Sequence, residues 1–278
     1  LYLFKKLIEK NGSIITDSKI KQFKKIKNIA IKKKLNILTI SNNKNGVEVI
    51  SHKYYDDKQI IEVRYNKKIY KFHTSLIGKI QIKNILMSVL AANNSNLNFN
   101  KIVNVISRVK PVNGRLQHIG IIKNNSKVIL DYAHTPDALK VCLLNLRDQF
   151  KNRKISIVFG CGGNRDKSKR AIMGKISNQY CDRIYLTDDN PRSEKPENIR
   201  QSIKKYINKS KIYEISDRAK AIEKAIFDLK TGDILVVAGK GHENTQDFGK
   251  IKKLFSDQKE ILRNIKIKNK NLSTNLKL

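Results

Sequence analysis

Acidic side chains are scarce in this chain, cysteine is rarer still, and no apolar run is long enough to cross a membrane. Asp and Glu number 24 against 58 Lys and Arg, and the three cysteines are Cys142, Cys161 and Cys181. They share no metal-ligand spacing, and their odd number argues against a disulfide framework. No stretch approaches the roughly 18 apolar residues of a membrane helix. No basic-then-apolar leader opens the chain, so a reducing cytoplasm is the expected location, with no membrane partner. An apolar fraction of 40% is too high for wholesale disorder, and 278 residues suffice for one large domain or two ordinary ones.

The charge imbalance of +34 raises nucleic acid or an anionic membrane as a partner. Yet the basic residues run the whole length of the chain, mixed with Ile and Asn as A/T-biased codon usage would mix them. No aromatics cluster among them to stack bases, so a basic nucleic-acid-binding module is the weaker alternative. Anionic substrates would still feel the field. The chain opens on Leu1 instead of Met, and LYLFKKLIEKNG reads as a helix already under way. It therefore reads as a piece of a longer protein.

Residues 1–108 have a mixed α/β pattern. Helical spacing over residues 1–10 ends at Asn11-Gly12, a plausible C-cap. SIIT and NILTI suggest short buried strands around a lysine-rich helix. GVEVISHKYY, IIEVRYN and KIYKFHT alternate as a small meander would, and two apolar helices follow. At KPVNG (110–114) the pattern breaks, placing a domain boundary there. Beyond it, KVILDY, KISIVFG, RIYLT, KIYEI and DILVVAG alternate with helical segments. That order predicts an α/β domain with a mostly parallel sheet, helices on both faces and ligands at the strands' carboxyl ends. From residue 266 the chain is polar and is expected to fray.

The segments just after these strands carry the chemistry. In DYAHTPDAL (131–139), Thr135 suits a helix N-cap and Pro136 the first helical turn. Capping leaves Asp131 and His134 unexplained, at a helix N-terminus that favours anions. FGCGGNRDKSKR (159–170) could converge backbone N–H groups on an anion or form a plain tight turn. It fits neither the dinucleotide fingerprint nor G-x-x-x-x-G-K-[ST], and no phosphate-loop lysine occurs in the chain. AGKGHE (238–243) repeats the Gly-rich turn after a strand. GRLQ (114–117) sets Arg115 at the boundary, where its planar fork could clamp phosphate or pair on the surface. In GKIQIKN (78–84), Gln81 and Asn84 stand three apart at a helix start, where capping is the plain alternative. TDDNPRSEKP (187–196) is either a solvated proline turn or a loop offering both charge signs to a zwitterion.

Taken in order, GKIQxxN, GRLQ, DYAHTPDAL, FGCGGNRDKSKRAIMG, TDDNPRSEKP, SDRAKAI and AGKGHE resemble the Mur ligase family, from the start of the chain to about Asp257. The resemblance implies residues 1–110 as the C-terminal part of a central ATP-binding domain. Residues 111–265 would then be a Rossmann-like amino-acid-binding domain, and 266–278 a polar tail. It implies an ATP-dependent, Mg²⁺-assisted ligase working through an acyl phosphate, with a UDP-N-acetylmuramoyl dipeptide and meso-diaminopimelate as small-molecule substrates, the alternative being a ligase of the same type that adds L-lysine or another amino acid. A monomer is the expected state. By position, Asn84, Arg115, Asp131 and His134 match nucleotide contacts. Arg165, Asp189, Asn190, Pro191, Arg192, Gly239 and Glu243 match contacts to meso-diaminopimelate. Lysine-adding members are similar but usually carry a small residue after the proline. Arg192 therefore implies a second carboxylate on the acceptor, gripped bidentately, with Glu243 or Asp189 on the ammonium. Asn164, Ser168, Ala171 and Ile80 depart from the usual Asp, Gly, Pro and aromatic residue. The resemblance also places the phosphate loop, the main Mg²⁺ ligands and the UDP-binding domain outside this chain, which is then not expected to turn over alone.

Overall fold

The computed structural model describes residues 1–40 and 46–275, and they divide into two compact units, Leu1–Lys110 and Pro111–Leu278. The first unit runs α1 (Tyr2–Leu7), β1 (Ser13–Thr16), α2 (Phe23–Lys33), β2 (Asn36–Thr39), β3 (Glu48–Tyr55), β4 (Lys58–Tyr65), β5 (Lys68–Thr74), α3 (Lys79–Asn94) and α4 (Phe99–Val105). β1 and β2 pair in parallel, and β3, β4 and β5 form an antiparallel meander. The alternation in β4 is physical: Ile61 and Val63 face inward with no exposure, and Phe72, Leu86, Leu90 and Phe99 pack over them.

The first helix is shorter than its spacing predicts. It stops at Leu7, and Ile8 is already extended. Asn11 donates its N–H to the Lys34 carbonyl and Asn36 donates to that of Gly12, so pairing with the β2 segment takes over the chain there.

The second unit adds β6 (Gln117–Ile121), β7 (Lys127–Asp131), α5 (Pro136–Gln149), β8 (Ile155–Phe159), α6 (Ser168–Tyr180), β9 (Arg183–Leu186), α7 (Pro196–Lys204), β10 (Ile212–Glu214), α8 (Arg218–Phe227), β11 (Ile234–Ala238), β12 (Thr245–Asp247), β13 (Lys252–Leu254) and α9 (Asp257–Asn275). Its main sheet has the order β10-β9-β8-β11-β7-β6, all parallel except the edge strand β6. β7, β8 and β11 are buried along their whole length, as strands covered on both faces must be. Val128, Leu130, Leu235 and Val237 meet Ile222, Ile226 and Ile261 of α8 and α9 in one core cluster. Cys142, Cys161 and Cys181 are free and buried in this unit, and burial pushes their thiols up, Cys161 to about 12.

The expected fraying from residue 266 is corrected: α9 continues to Asn275, and residues 276–278 lie outside the described ones. Ile261 and Ile265 bury one face of that helix, and Leu272 packs at its edge. Lys268 donates from Nζ to the carbonyls of Ile226 and Leu229, at 2.8 and 2.7 Å, so a polar residue fixes the segment by satisfying the end of α8.

Candidate functional site

β11 returns between β7 and β8, so the carboxyl ends of β9, β8, β11 and β7 stand side by side. There the segments after all four strands meet around a cleft of about 620 Å³. Glycine permits their close approach. A Cβ on Gly163 would lie 1.9 Å from the Pro191 carbonyl oxygen, and one on Gly160 would lie 2.2 Å from that of Thr187. Gly163 donates its N–H to the Asn190 carbonyl at 2.9 Å, docking the glycine loop on the 187–196 loop.

That second loop is tied at both ends. Asp188 pairs with Arg200 of α7. Glu194 accepts from the buried Arg170 guanidinium at 2.9 and 3.1 Å. Between these anchors Asn190 acts as a strut: its Oδ1 accepts from Lys240 Nζ at 3.0 Å and from the Asp247 N–H at 2.9 Å, and its Nδ2 donates to Glu243 Oε2 at 3.0 Å. Arg192 is left-handed at φ 52°, and its Nη1 donates to the Gly163 carbonyl at 2.9 Å. Its Nε lies 3.7 Å from Asp247. The turn and the charge display are thus one construction.

Arg165, Asp189, Asn190, Arg192, Gly239 and Glu243 all line the cleft, together with Tyr132, His134 and Lys169. Pro191 does not line it and serves as backing against Gly163. The two acidic residues differ. Burial acts to raise the Glu243 carboxyl, but hydrogen bonds from Lys240, Asn190 and Tyr132 more than offset it and hold the group below the usual range. Asp189 is pushed up by burial against the pull of Arg218 and Lys240, and its Oδ2 has no hydrogen-bond partner. So Glu243 is largely occupied by the protein, while Asp189 lines the cleft with one buried carboxylate oxygen that has no hydrogen-bond partner.

Four residues were expected to touch a nucleotide. Asp131 ends β7, and both its carboxylate oxygens accept backbone N–H groups, from Leu116 at 2.7 Å and Ala133 at 2.9 Å. Burial raises its carboxyl, opposed by those bonds and by Arg115. The Arg115 guanidinium lies 5.1 Å from the Tyr132 ring centroid, and the His134 ring packs on the same tyrosine at 4.6 Å. Thr135 caps α5 by accepting from the Ala138 N–H, with Pro136 in the first turn. Asn84 lies in the first unit on α3, where its Nδ2 donates to Gln81 at 3.2 Å. A separate cleft of about 560 Å³ in that unit is lined by Asp17, Glu48, His52, Lys79 and Lys83, without Asn84.

Tyr132, Lys240 and Asp247 escaped the sequence reading. Lys240 was legible only as one residue of a glycine-rich turn, yet it is fully buried and holds both Asn190 and Glu243. Among the described residues no three His, Cys, Asp or Glu side chains come together as a metal site.

Comparison with known proteins gives this arrangement a lineage. Residues 1–92 match the Mur ligase middle domain, and residues 114–241 match the Mur ligase glutamate ligase domain. A Rickettsia felis protein named UDP-N-acetylmuramoyl-L-alanyl-D-glutamate--2,6-diaminopimelate ligase is 39% identical over 255 residues, 91% of this chain and 47% of that protein. A Rickettsia bellii protein of the same name is 40% identical over 92% of this chain and 53% of its own length. A solved structure of a ligase of that name superposes with a TM-score of 0.69 at 27% identity, covering 92% of this chain and 53% of that one. The chain spans about half the length of the curated relatives it matches. With a middle domain followed by a glutamate ligase domain, it belongs to the Mur ligase family.

Proposed function

We propose that the second unit is the acceptor-amino-acid site of an ATP-dependent ligase that joins meso-2,6-diaminopimelate to UDP-N-acetylmuramoyl-L-alanyl-D-glutamate in peptidoglycan synthesis. The observation that carries this reading is the presence, in one cleft, of the Arg192 guanidinium and the Asp189 carboxylate, one oxygen of which is buried without a hydrogen-bond partner. An amino acid with a carboxylate and an ammonium at its far end answers both. Arg192 and Arg165 take carboxylates through forked hydrogen bonds, and Asp189 takes an ammonium. Glu243, already bonded to Lys240 and Asn190, shapes that end of the cleft.

The chemistry follows from the poor electrophilicity of a carboxylate. ATP phosphorylates the D-glutamate carboxylate, and the acceptor amine, having lost its proton, attacks the acyl carbon. The C–N bond forms, the C–O bond to phosphate breaks, and phosphate leaves. Holding the acceptor at its far end presents the reacting amine without spending that amine on binding, which is how positioning lowers such a barrier. Asn84 in the first unit and Arg115, Asp131 and His134 in the second are assigned to the nucleotide, and Mg²⁺ to its phosphates. The enzyme is assigned to the cytoplasm as a monomer, and among the described residues no helix is long and apolar enough to cross a membrane.

No phosphate-loop lysine occurs in the 278 residues, so binding is the direct test. Titrating the ¹⁵N-labelled chain should show meso-diaminopimelate binding at least about tenfold more tightly than L-lysine, the value of one charged hydrogen bond. Arg192→Ala should erase that preference. Equal affinity for the two amino acids in the unsubstituted chain would sink the assignment.

A further inference from the structure

Behind the cleft lies a charge pair that the acceptor reading does not use. Arg218, the first residue of α8, and Asp257, the first of α9, both have fully buried side chains. Arg218 donates from Nε to Asp257 Oδ1 at 2.7 Å and from Nη2 to Oδ2 at 2.8 Å. The same Nη2 donates to the Ala238 carbonyl at 2.9 Å, fastening the pair under the end of β11. The remaining nitrogen, Nη1, has no hydrogen-bond partner, and 4.0 Å away lies Asp189 Oδ2, also without one. Gly239, at φ 112°, leaves room for that oxygen, since a Cβ there would lie 2.8 Å from it.

Two buried polar atoms of opposite charge stop just short of a hydrogen bond, and the geometry says why. Asp257 holds the guanidinium by two nitrogens and the β11 carbonyl fixes its tilt, so Nη1 cannot close on Asp189. At 4.0 Å the attraction still favours an ionised Asp189, but its oxygen remains unfilled. The charged groups acting on Asp189 are the cations Arg218 and Lys240 and, each paired with one of them, the carboxylates Asp257 and Glu243, with the neutral Cys161 thiol nearby. With Asp189 itself, three carboxylates face two cations. These five groups are short by one positive charge, and the cations Arg165, Lys169 and Arg192 line the same cleft in more exposed positions.

We propose that the Arg218–Asp257 pair is a positioning device for the acceptor amino acid, keeping the Asp189 carboxylate charged yet unfilled so that a single ligand ammonium completes the cluster. The inference rests on the acceptor reading of the cleft and names the residues that set its affinity for a cation. Arg218 touches no ligand and acts through Asp189. A far end without an ammonium, or with two, would leave the cluster unbalanced.

Carboxyl ¹³C NMR of the aspartate-labelled chain reads the Asp189 titration directly, and meso-diaminopimelate titrations on the same samples read binding. Arg218→Met alone strands Asp257, so the informative variant is R218M/D257L, which removes both charges together. Its Asp189 midpoint should rise by at least about one pH unit, a tenfold change in proton affinity. Its affinity for meso-diaminopimelate should fall up to about tenfold at pH values below its raised midpoint and recover above it, as the linkage requires. R218K, which keeps the charge, should restore most of the midpoint. Asp257→Asn should do the reverse to the midpoint, lowering it as the released guanidinium closes on Asp189, while still weakening the amino acid. A midpoint unmoved in both R218M/D257L and D257N overturns the inference, as does a shifted midpoint with undiminished binding. Undiminished binding in Asp189→Asn overturns the acceptor reading instead, whatever the midpoints do.

Discussion

The two units treat charge differently. In the first, the ion pair between Arg64 and Glu48 bridges neighbouring strands at 2.8 Å with side chains 39% and 37% exposed. In the second, Arg218 and Asp257 pair with no exposure at all, and Lys240 is buried among polar atoms beside the same cleft. An exposed pair adds little, since water screens it and two long side chains lose freedom. A buried pair must overcome a large desolvation penalty, and an apolar replacement of the same size often does as well. Charges kept inside despite that cost are enriched where binding or catalysis needs a field, and Asp189, Arg218, Lys240 and Asp257 form such a group beside the carboxyl ends of β9 and β11.

The largest test of this contrast is Arg218→Met, which leaves Asp257 buried and uncompensated. It should destabilise the second unit by about 3–5 kcal/mol in denaturant unfolding. Next is Gly163→Ala. Its Cβ would meet the Pro191 carbonyl oxygen at 1.9 Å, so the two loops must part, at about 1–3 kcal/mol, with loss of meso-diaminopimelate binding. Asp189→Asn should act in the opposite direction. Burial raises the Asp189 carboxyl, so its contribution is most favourable below the unfolded value of about 3.9 and is lost as pH rises through the raised folded one. The neutral side chain should therefore raise the melting temperature at pH 7 by up to about 4 °C, with the gain vanishing below about pH 4. The smallest effect belongs to the first unit. Glu48→Ala should cost less than about 1 kcal/mol, and less again at high salt. A Glu48→Ala loss as large as that of Arg218→Met would erase the distinction between the units.

Much of the scaffold was legible because its signals are local. The apolar runs VILD, ISIVF and ILVVA, alternating with helical segments, specify a parallel sheet without knowledge of any contact. The edge strand β6 was not legible, since an edge is half solvated and QHIGI carries no clean alternation. The end of α9 was misjudged because Lys and Asn dominate its composition, although Ile261, Ile265, Lys268 and Leu272 keep helical spacing. The cleft divides in the same way. Its loop residues follow strands and could be located, but Lys240 with Asn190 spans 50 residues and Arg218 with Asp257 spans 39. Such pairings exist only once the sheet has brought their strands together. Asp189 and Glu243 were interchangeable on the page until Lys240 was seen to occupy one of them.

The contact of Gly163 on Pro191 has a consequence for redesign. The segments after β8 and β9 interlock with no room for a methyl group between them, and the Arg192 guanidinium hangs from the Gly163 carbonyl. Neither segment can be exchanged for one of a different outline while the other stays. An attempt to retarget this site to another amino acid by grafting residues 187–196 alone would deliver the new side chains onto a seat cut for the old ones. The two loops are a single inheritable part, and they have to be transplanted together.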